Sequence, residues 1–133
     1  YTMSPRGSVA DPWQYQLVIH KGFDNEGIPE KWDDEFLERV PHANEDLKTF
    51  AINNNEYCAH CGLWYSTCDT AYVEPVATVP EHRKKGLAKA VVYEACIRAK
   101  ALGAKRATVI SDQEFYFRIG FTLSSEVYDW EKN

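Results

Sequence analysis

No apolar run in this 133-residue chain approaches the ~20 residues that a helix needs to cross a bilayer, so no membrane partner is expected. There is no internal repeat and no low-complexity tract, which excludes solenoid and linker architectures. Positive charge is in deficit: 15 Lys and Arg stand against 20 Asp and Glu, a formal net charge of -5. An acidic surface repels phosphate backbones, so no nucleic-acid partner is expected, and an amine-bearing partner is mildly favoured. The opening Tyr1-Thr2-Met3-Ser4-Pro5-Arg6 lacks an apolar stretch behind its charge and does not read as a secretory signal. Four cysteines, at 58, 61, 68 and 96, without such a signal fit reduced thiols and a cytoplasmic setting. The nucleotide-binding glycine patterns GxGxxG and GKS or GKT are missing as well.

What is present suits one domain spanning 1–133, with enough apolar and aromatic residues to build a core. Asp11-Pro12 is a helix start, an N-cap acceptor followed by proline at the first helical position. The alternation of Tyr15, Leu17 and Ile19 also suits a short strand. Gly22–Pro29 is a loop, and Trp32, Phe36, Leu37 and Val40 have the spacing of one buried helical face that Pro41 closes. Thr49–Ile52, Tyr57–Ser66 and Ala71–Val79 read as strands separated by turns at Asn53–Glu56 and Thr67–Thr70. Pro75 inside the third run cannot donate to a ladder, so a bulge or a parting of strands is expected there. Leu87, Val91, Ala95 and Leu102 mark the clearest helix, stopped by Gly103, and Ala107–Ile110 is a β-branched strand. A short helix around Gln113–Ile119 and one last strand from Phe121 toward Trp130 complete an α/β fold, a mixed sheet with helices on its faces.

The most informative segment is Glu74-Pro75-Val76-Ala77-Thr78-Val79-Pro80-Glu81-His82-Arg83-Lys84-Lys85-Gly86-Leu87-Ala88. A strand runs into a loop with three consecutive cations, then a glycine, then a helix start. Free N–H groups and the helix dipole make such a start an anion site. Gly86, lacking a Cβ, lets a bulky anion approach the backbone. A solvated charge run is the plain alternative for a bare basic triplet.

The pattern Arg-x-x-Gly-x-Ala, after Val-x-Pro and before an alanine-rich helix, resembles the acetyl-CoA pyrophosphate loop of the GNAT superfamily of N-acetyltransferases. The resemblance continues in register. Tyr72–Thr78 is similar to the family's fourth strand, and Phe115-Tyr116-Phe117-Arg118-Ile119-Gly120-Phe121 to its Tyr-x-x-x-Gly-Phe signature. It implies a GNAT-like acyl-CoA N-acyltransferase fold, acetyl-CoA as co-substrate and no metal. It assigns cofactor contacts to Val76, Ala77, Thr78, Arg83, Lys84, Lys85, Gly86, Leu87, Ala88, Gln113 and Tyr116. Two departures stand out: only Ser111–Glu114 precede the tyrosine, where many members have an Asn and a longer helical lead-in, and residues 1–10 make a poor first strand. The expectation is a flexible lead-in at 1–10 with the first strand missing, as in the C-terminal part of a longer or tandem protein. A homodimer or a second domain of the same kind is compatible with this.

The resemblance further implies direct attack of an amine on the thioester of acetyl-CoA. An alkyl amine of pKa near 10.4 is only about one part in 10³ neutral at pH 7, so a proton acceptor is needed, and the leaving thiolate gains from a donor. Tyr116 matches the family's acid, with a core aromatic as the alternative. Glu74, on the strand beside the thioester, is the candidate base, with a surface carboxylate as the alternative. Cys58-Ala-His-Cys61 raises zinc binding as a competing function, but no second CxxC completes a tetrahedron, and strand alternation sends the two thiols to opposite faces. A GNAT-fold module that binds acyl-CoA without turnover is the other alternative. The acceptor, a small molecule or a peptide amine, is expected to meet the acidic stretch Gly22–Pro41.

Overall fold

The structure, a computed structural model, describes residues 1–33, 35, 44–65, 69–109 and 118, together with the backbone of 122–124 and 127–131. Helix α1 (Pro12–Gly22) starts as its sequence dictates. Asp11 Oδ1 accepts the N–H groups of Trp13 and Gln14, each at 3.0 Å, and Pro12 opens the first turn. The alternation at Tyr15, Leu17 and Ile19 is therefore that of a helix. Strands β2 (Thr49–Asn53) and β3 (Glu56–Trp64) follow a two-residue strand β1 (Thr2–Met3), and β4 spans Thr70–Thr78. Asn54 and Asn55 join β2 to β3 with φ of 50° and 66°, the left-handed pair that a tight hairpin turn demands. Helix α2 (Leu87–Ala101) crosses to β5 (Arg106–Val109), and β6 (Thr122–Ser124) and β7 (Val127–Glu131) end the described chain.

The sheet order is β1-β2-β3-β4-β5-β7-β6, with β4 and β5 parallel and the other pairs antiparallel. Period-2 alternation divides the core between its two faces. Phe50 meets Val18 of α1 and Val79 on one side. Ala51, Cys61, Leu63 and Val73 meet Leu87, Val91, Val92 and Ala95 of α2 on the other. This is the mixed sheet with helices on its faces that the sequence predicts.

The expectation of a loose lead-in with no first strand is corrected. Thr2 and Met3 pair with Ile52 and Ala51 on the edge of the sheet. The next residue, Ser4, is buried and exchanges two bonds with Phe50: its N–H donates to Phe50 O at 2.8 Å, and its Oγ accepts the Phe50 N–H at 3.1 Å. Arg98, buried on α2, donates to Ser4 O from Nη2 and to Glu94 Oε1 from Nε at 3.1 Å. A two-residue strand is too short to show a period, and the arginine that anchors its end lies 94 residues away.

Two more expectations change. The single last strand is a hairpin, with Ser124 opposite Val127, in a run where Ser124, Ser125 and Glu126 suit a turn. Cys58 and Cys61 do not obey strict alternation: Ala51 pairs with Ala59 but Ile52 with Tyr57, so Cys58 is the extra residue of a bulge. Both thiols end in the core cluster beneath α2. The expected helical face from Trp32 to Val40 lies outside the described residues apart from Trp32, Asp33 and the helical Glu35.

Candidate active site

β4 and β5 begin as a parallel pair, Thr70 opposite Arg106, Ala71 opposite Ala107 and Tyr72 opposite Thr108. Among the described residues the ladder stops there, while β4 runs on to Thr78. On its other side β4 bulges. Cys61 pairs with Val76 and Leu63 with Val73, so three steps on β4 face two on β3, with Glu74 and Pro75 in the excess. Pro75 has no N–H for a ladder, and the bulge is where a strand can seat it.

Past the strand, Val79 N–H bonds Cys58 O at 2.9 Å, and a short 3-10 turn (Pro80–His82) leads to Gly86. Gly86 has φ 77°, and nothing lies within 4 Å of where a Cβ would stand. Backbone conformation rather than crowding therefore demands glycine here. Gly86 O accepts the Ala90 N–H at 3.1 Å, the first bond of α2, and no side chain caps this end. The N–H groups of Leu87, Ala88 and Lys89 thus have no acceptor within the helix, and they carry the positive end of its dipole.

These pieces enclose a cleft of about 1060 Å³. It is lined by β4 from Tyr72 to Thr78, by Thr108 and Val109, by His82, Arg83, Lys84 and Gly86–Lys89, by Gly22 and Phe23, and by Arg118. The volume is at the upper end for small-ligand sites, enough for an extended ligand. Glu74 is the only carboxylate among the described lining residues, whereas the loop and first turn contribute several cations.

Of the residues singled out from sequence, Glu74, Val76, Ala77, Thr78, Arg83, Lys84, Gly86, Leu87 and Ala88 line this one cleft. Gln113 and Tyr116 lie outside the described residues. Lys85 is turned elsewhere: its Nζ sits 5.8 Å from the ring centre of Tyr1, and the Tyr1 hydroxyl meets His82 Nδ1 at 2.7 Å. Arg83 lines the cleft, but its guanidinium bonds the chain itself. Nε donates to Thr78 O at 3.1 Å, and Nη2 to Gly22 O at 3.1 Å and Asp24 Oδ1 at 2.9 Å. The spacing of the basic triplet could not reveal this, because two of those acceptors are about sixty residues distant in sequence.

His82, Lys89 and Arg118 also line the cleft without having been picked out, as do Gly22 and Phe23 from the stretch expected to meet the acceptor. Lys89 was accessible to inspection, since it stands in the first turn three residues after Gly86. Gly22 reads from sequence as the start of a loop, whereas it ends α1; a Cβ on it would lie 2.5 Å from Ala77 Cβ, so glycine is what lets α1 end against β4. Among the described residues, Cys58, Cys61 and Cys96 do not line the cleft. Burial pushes the Cys96 thiol up to about 12 and the Cys61 thiol well above its usual value, which keeps both protonated. Among the described residues no three metal-ligating side chains gather, and Cys58 and Cys61 lie in apolar packing.

A mixed sheet whose fourth strand bulges beside an uncapped, lysine-flanked helix start is the arrangement of the GNAT acyl-CoA N-acyltransferase fold. The profile of the acetyltransferase (GNAT) family matches residues 13–121, and the chain belongs to that family. Among solved structures, a GNAT acetyltransferase from Brucella melitensis in complex with acetyl-CoA superposes with TM-score 0.74 at 14% identity, covering 99% of this chain and 89% of that one. The PaiA N-acetyltransferase of Thermoplasma acidophilum in complex with coenzyme A gives TM-score 0.71 at 15% identity, covering 99% and 100%. N-acetylglutamate synthase from Neisseria gonorrhoeae, complexed with coenzyme A and N-acetyl-glutamate, gives 0.72 at 13%, covering 99% of this chain. The chain spans only 35% of that synthase's length. At such identities the likeness is one of fold. No curated protein sequence matches this chain.

Proposed function

We propose that this chain moves an acetyl group from acetyl-CoA to a small-molecule or peptide amine by direct attack, with both substrates bound at once, in the cytoplasm. The observation that carries the reading is the cleft between β4, bulged at Glu74 and Pro75, and the uncapped N-terminus of α2. The CoA complexes of the structural neighbours support it. The residues fit the ligand: Lys84, Lys89 and the first-turn amides of α2 would hold the pyrophosphate, and Val76–Thr78 would offer β4 main chain to the pantetheine arm.

Acetyl-CoA supplies an activated thioester carbonyl. Glu74 takes the proton of the attacking amine, directly or through water, as the N–C bond forms and the C–S bond breaks. Tyr116 protonates the departing thiolate. The acidic residues Asp24, Glu26, Glu30, Asp33 and Glu35, in the stretch after α1, favour a cationic acceptor.

Release of free thiol from acetyl-CoA across a panel of amines tests this. Amine-dependent release is expected from the native protein. In Tyr116→Phe, kcat should drop by roughly 10²–10⁴ while acetyl-CoA affinity and Tm hold. CoA binding with no turnover on any amine would leave a binding module that does no chemistry. A destabilised but fully active Tyr116→Phe protein would return that ring to the core.

A further inference from the structure

Helix α1 ends in a Schellman turn: Asn25 N–H donates to His20 O at 3.1 Å and Asp24 N–H to Lys21 O at 3.0 Å. The residue just past the cap in this turn is left-handed and usually glycine. Here it is Asp24, at φ 62°. An aspartate tolerates that conformation but gains nothing from it over glycine. Its carboxylate has another use, because Oδ1 accepts from Arg83 Nη2 at 2.9 Å. The same guanidinium holds Gly22 O at the end of α1 and Thr78 O at the end of β4. One side chain of the cofactor loop thus clasps two elements that meet at the cleft.

We infer that the Asp24–Arg83 pair is a clasp that couples occupancy of the cofactor site to order in residues 22–33, which makes Arg83 a positioning residue and not a phosphate ligand. The inference rests on the CoA site proposed above. A ligand that fixes the loop fixes Arg83, and through it Gly22 and Asp24. By linkage, order in residues 22–33 favours the same ligand in return. That stretch carries Glu26, Glu30 and Asp33. It is tied to α1 through Gln16, whose Nε2 donates to Glu30 O at 2.6 Å and whose Oε1 accepts the Trp32 N–H at 2.9 Å. The acidic wall offered to an amine is thereby more ordered when acetyl-CoA is in place.

Amide hydrogen exchange with and without CoA, on the native chain, Asp24→Gly and Arg83→Gln, tests the clasp. Asp24→Gly suits the left-handed turn and removes only the carboxylate, so its Tm should equal or exceed that of the native protein. CoA should slow exchange across 22–33 in the native chain, and that protection should vanish in Asp24→Gly. The Kd for CoA should rise only about two- to fivefold, as expected for an exposed ion pair. Arg83→Gln should lose the same protection, and adding Asp24→Gly to it should change nothing more. Protection retained in Asp24→Gly overturns the clasp. So does a tenfold or greater loss of CoA affinity in Arg83→Gln beside native affinity in Asp24→Gly, which would make Arg83 a phosphate ligand. A native chain that fails to bind CoA would overturn the proposed function as well, whereas binding without protection overturns the clasp alone.

Discussion

Gly22 is where two elements come closest. A methyl group there would lie 2.5 Å from Ala77 Cβ and 3.2 Å from Thr78 N. Alanine is the better helix former by at most about 1 kcal/mol. Overpacking against a strand typically costs about 1–3 kcal/mol, so the clash outweighs propensity. Gly22→Ala should therefore lower Tm by several degrees, and pairing it with Ala77→Gly should restore most of the loss, both read by thermal unfolding. An unchanged Tm in the single variant would mean that β4 yields at Ala77 without cost.

At the level of elements, β2 and β3 present an aromatic face to α1. Phe50 stacks on His60 with centroids 4.5 Å apart, and Tyr15 meets the His60 ring edge-on at 5.2 Å. His60 Nδ1 lies 3.1 Å from Thr49 O, which fixes the neutral tautomer with the proton on Nδ1. Burial, aided by nearby Lys48, lowers the His60 pKa from 6.5 to about 3, with the Thr49 bond and Glu45 opposing. Between those values the unfolded chain binds one more proton than the folded one. Stability is therefore complete above about pH 6.5 and falls by about 1.4 kcal/mol per unit as pH drops toward 3. Carboxylates titrate in the same window, so the comparison with His60→Phe is what isolates this group. Urea denaturation from pH 7 to 4.5 should show His60→Phe losing less stability than the native protein, and parallel curves would refute the assignment.

Sequence made some elements plain for physical reasons. Asp11-Pro12 and the bulge at Pro75 were legible because a capping carboxylate and a missing N–H act locally. The loop before α2 stood out because its Arg-x-x-Gly-x-Ala pattern resembles the family's, and Gly86 does take the positive φ that glycine allows. The side-chain choices of Arg83 and Lys85 were hidden, since their partners Gly22, Asp24 and Tyr1 are brought near only by the fold. The same holds for β1, which needs a buried Arg98 on α2 to anchor Ser4. Cys58 misled because one extra residue in β3 shifts the alternation on which the reading relied.

The whole molecule carries a formal net charge of -5, yet one end of its cleft brings Lys84 and Lys89 to a helix N-terminus. A local cationic end in an acidic protein is what a phosphate-bearing ligand requires, and its binding should weaken as salt rises. The most direct test is calorimetric titration of CoA into the native chain and into Gly86→Asp, side by side. The left-handed backbone at position 86 strains any residue but glycine, yet aspartate bears it better than most and the space for its side chain is open, so the fold should survive with a lowered Tm. Its charge would stand where the pyrophosphate is placed, and at ~5 Å and an effective dielectric near 20 each unit repulsion is about 3 kcal/mol before screening. Binding to the native chain, with at least a tenfold loss in a Gly86→Asp protein that still unfolds cooperatively, is the expected result. Equal affinity in the two proteins, or no heat of binding to the native chain at millimolar CoA, would contradict the placement of the cofactor in this cleft.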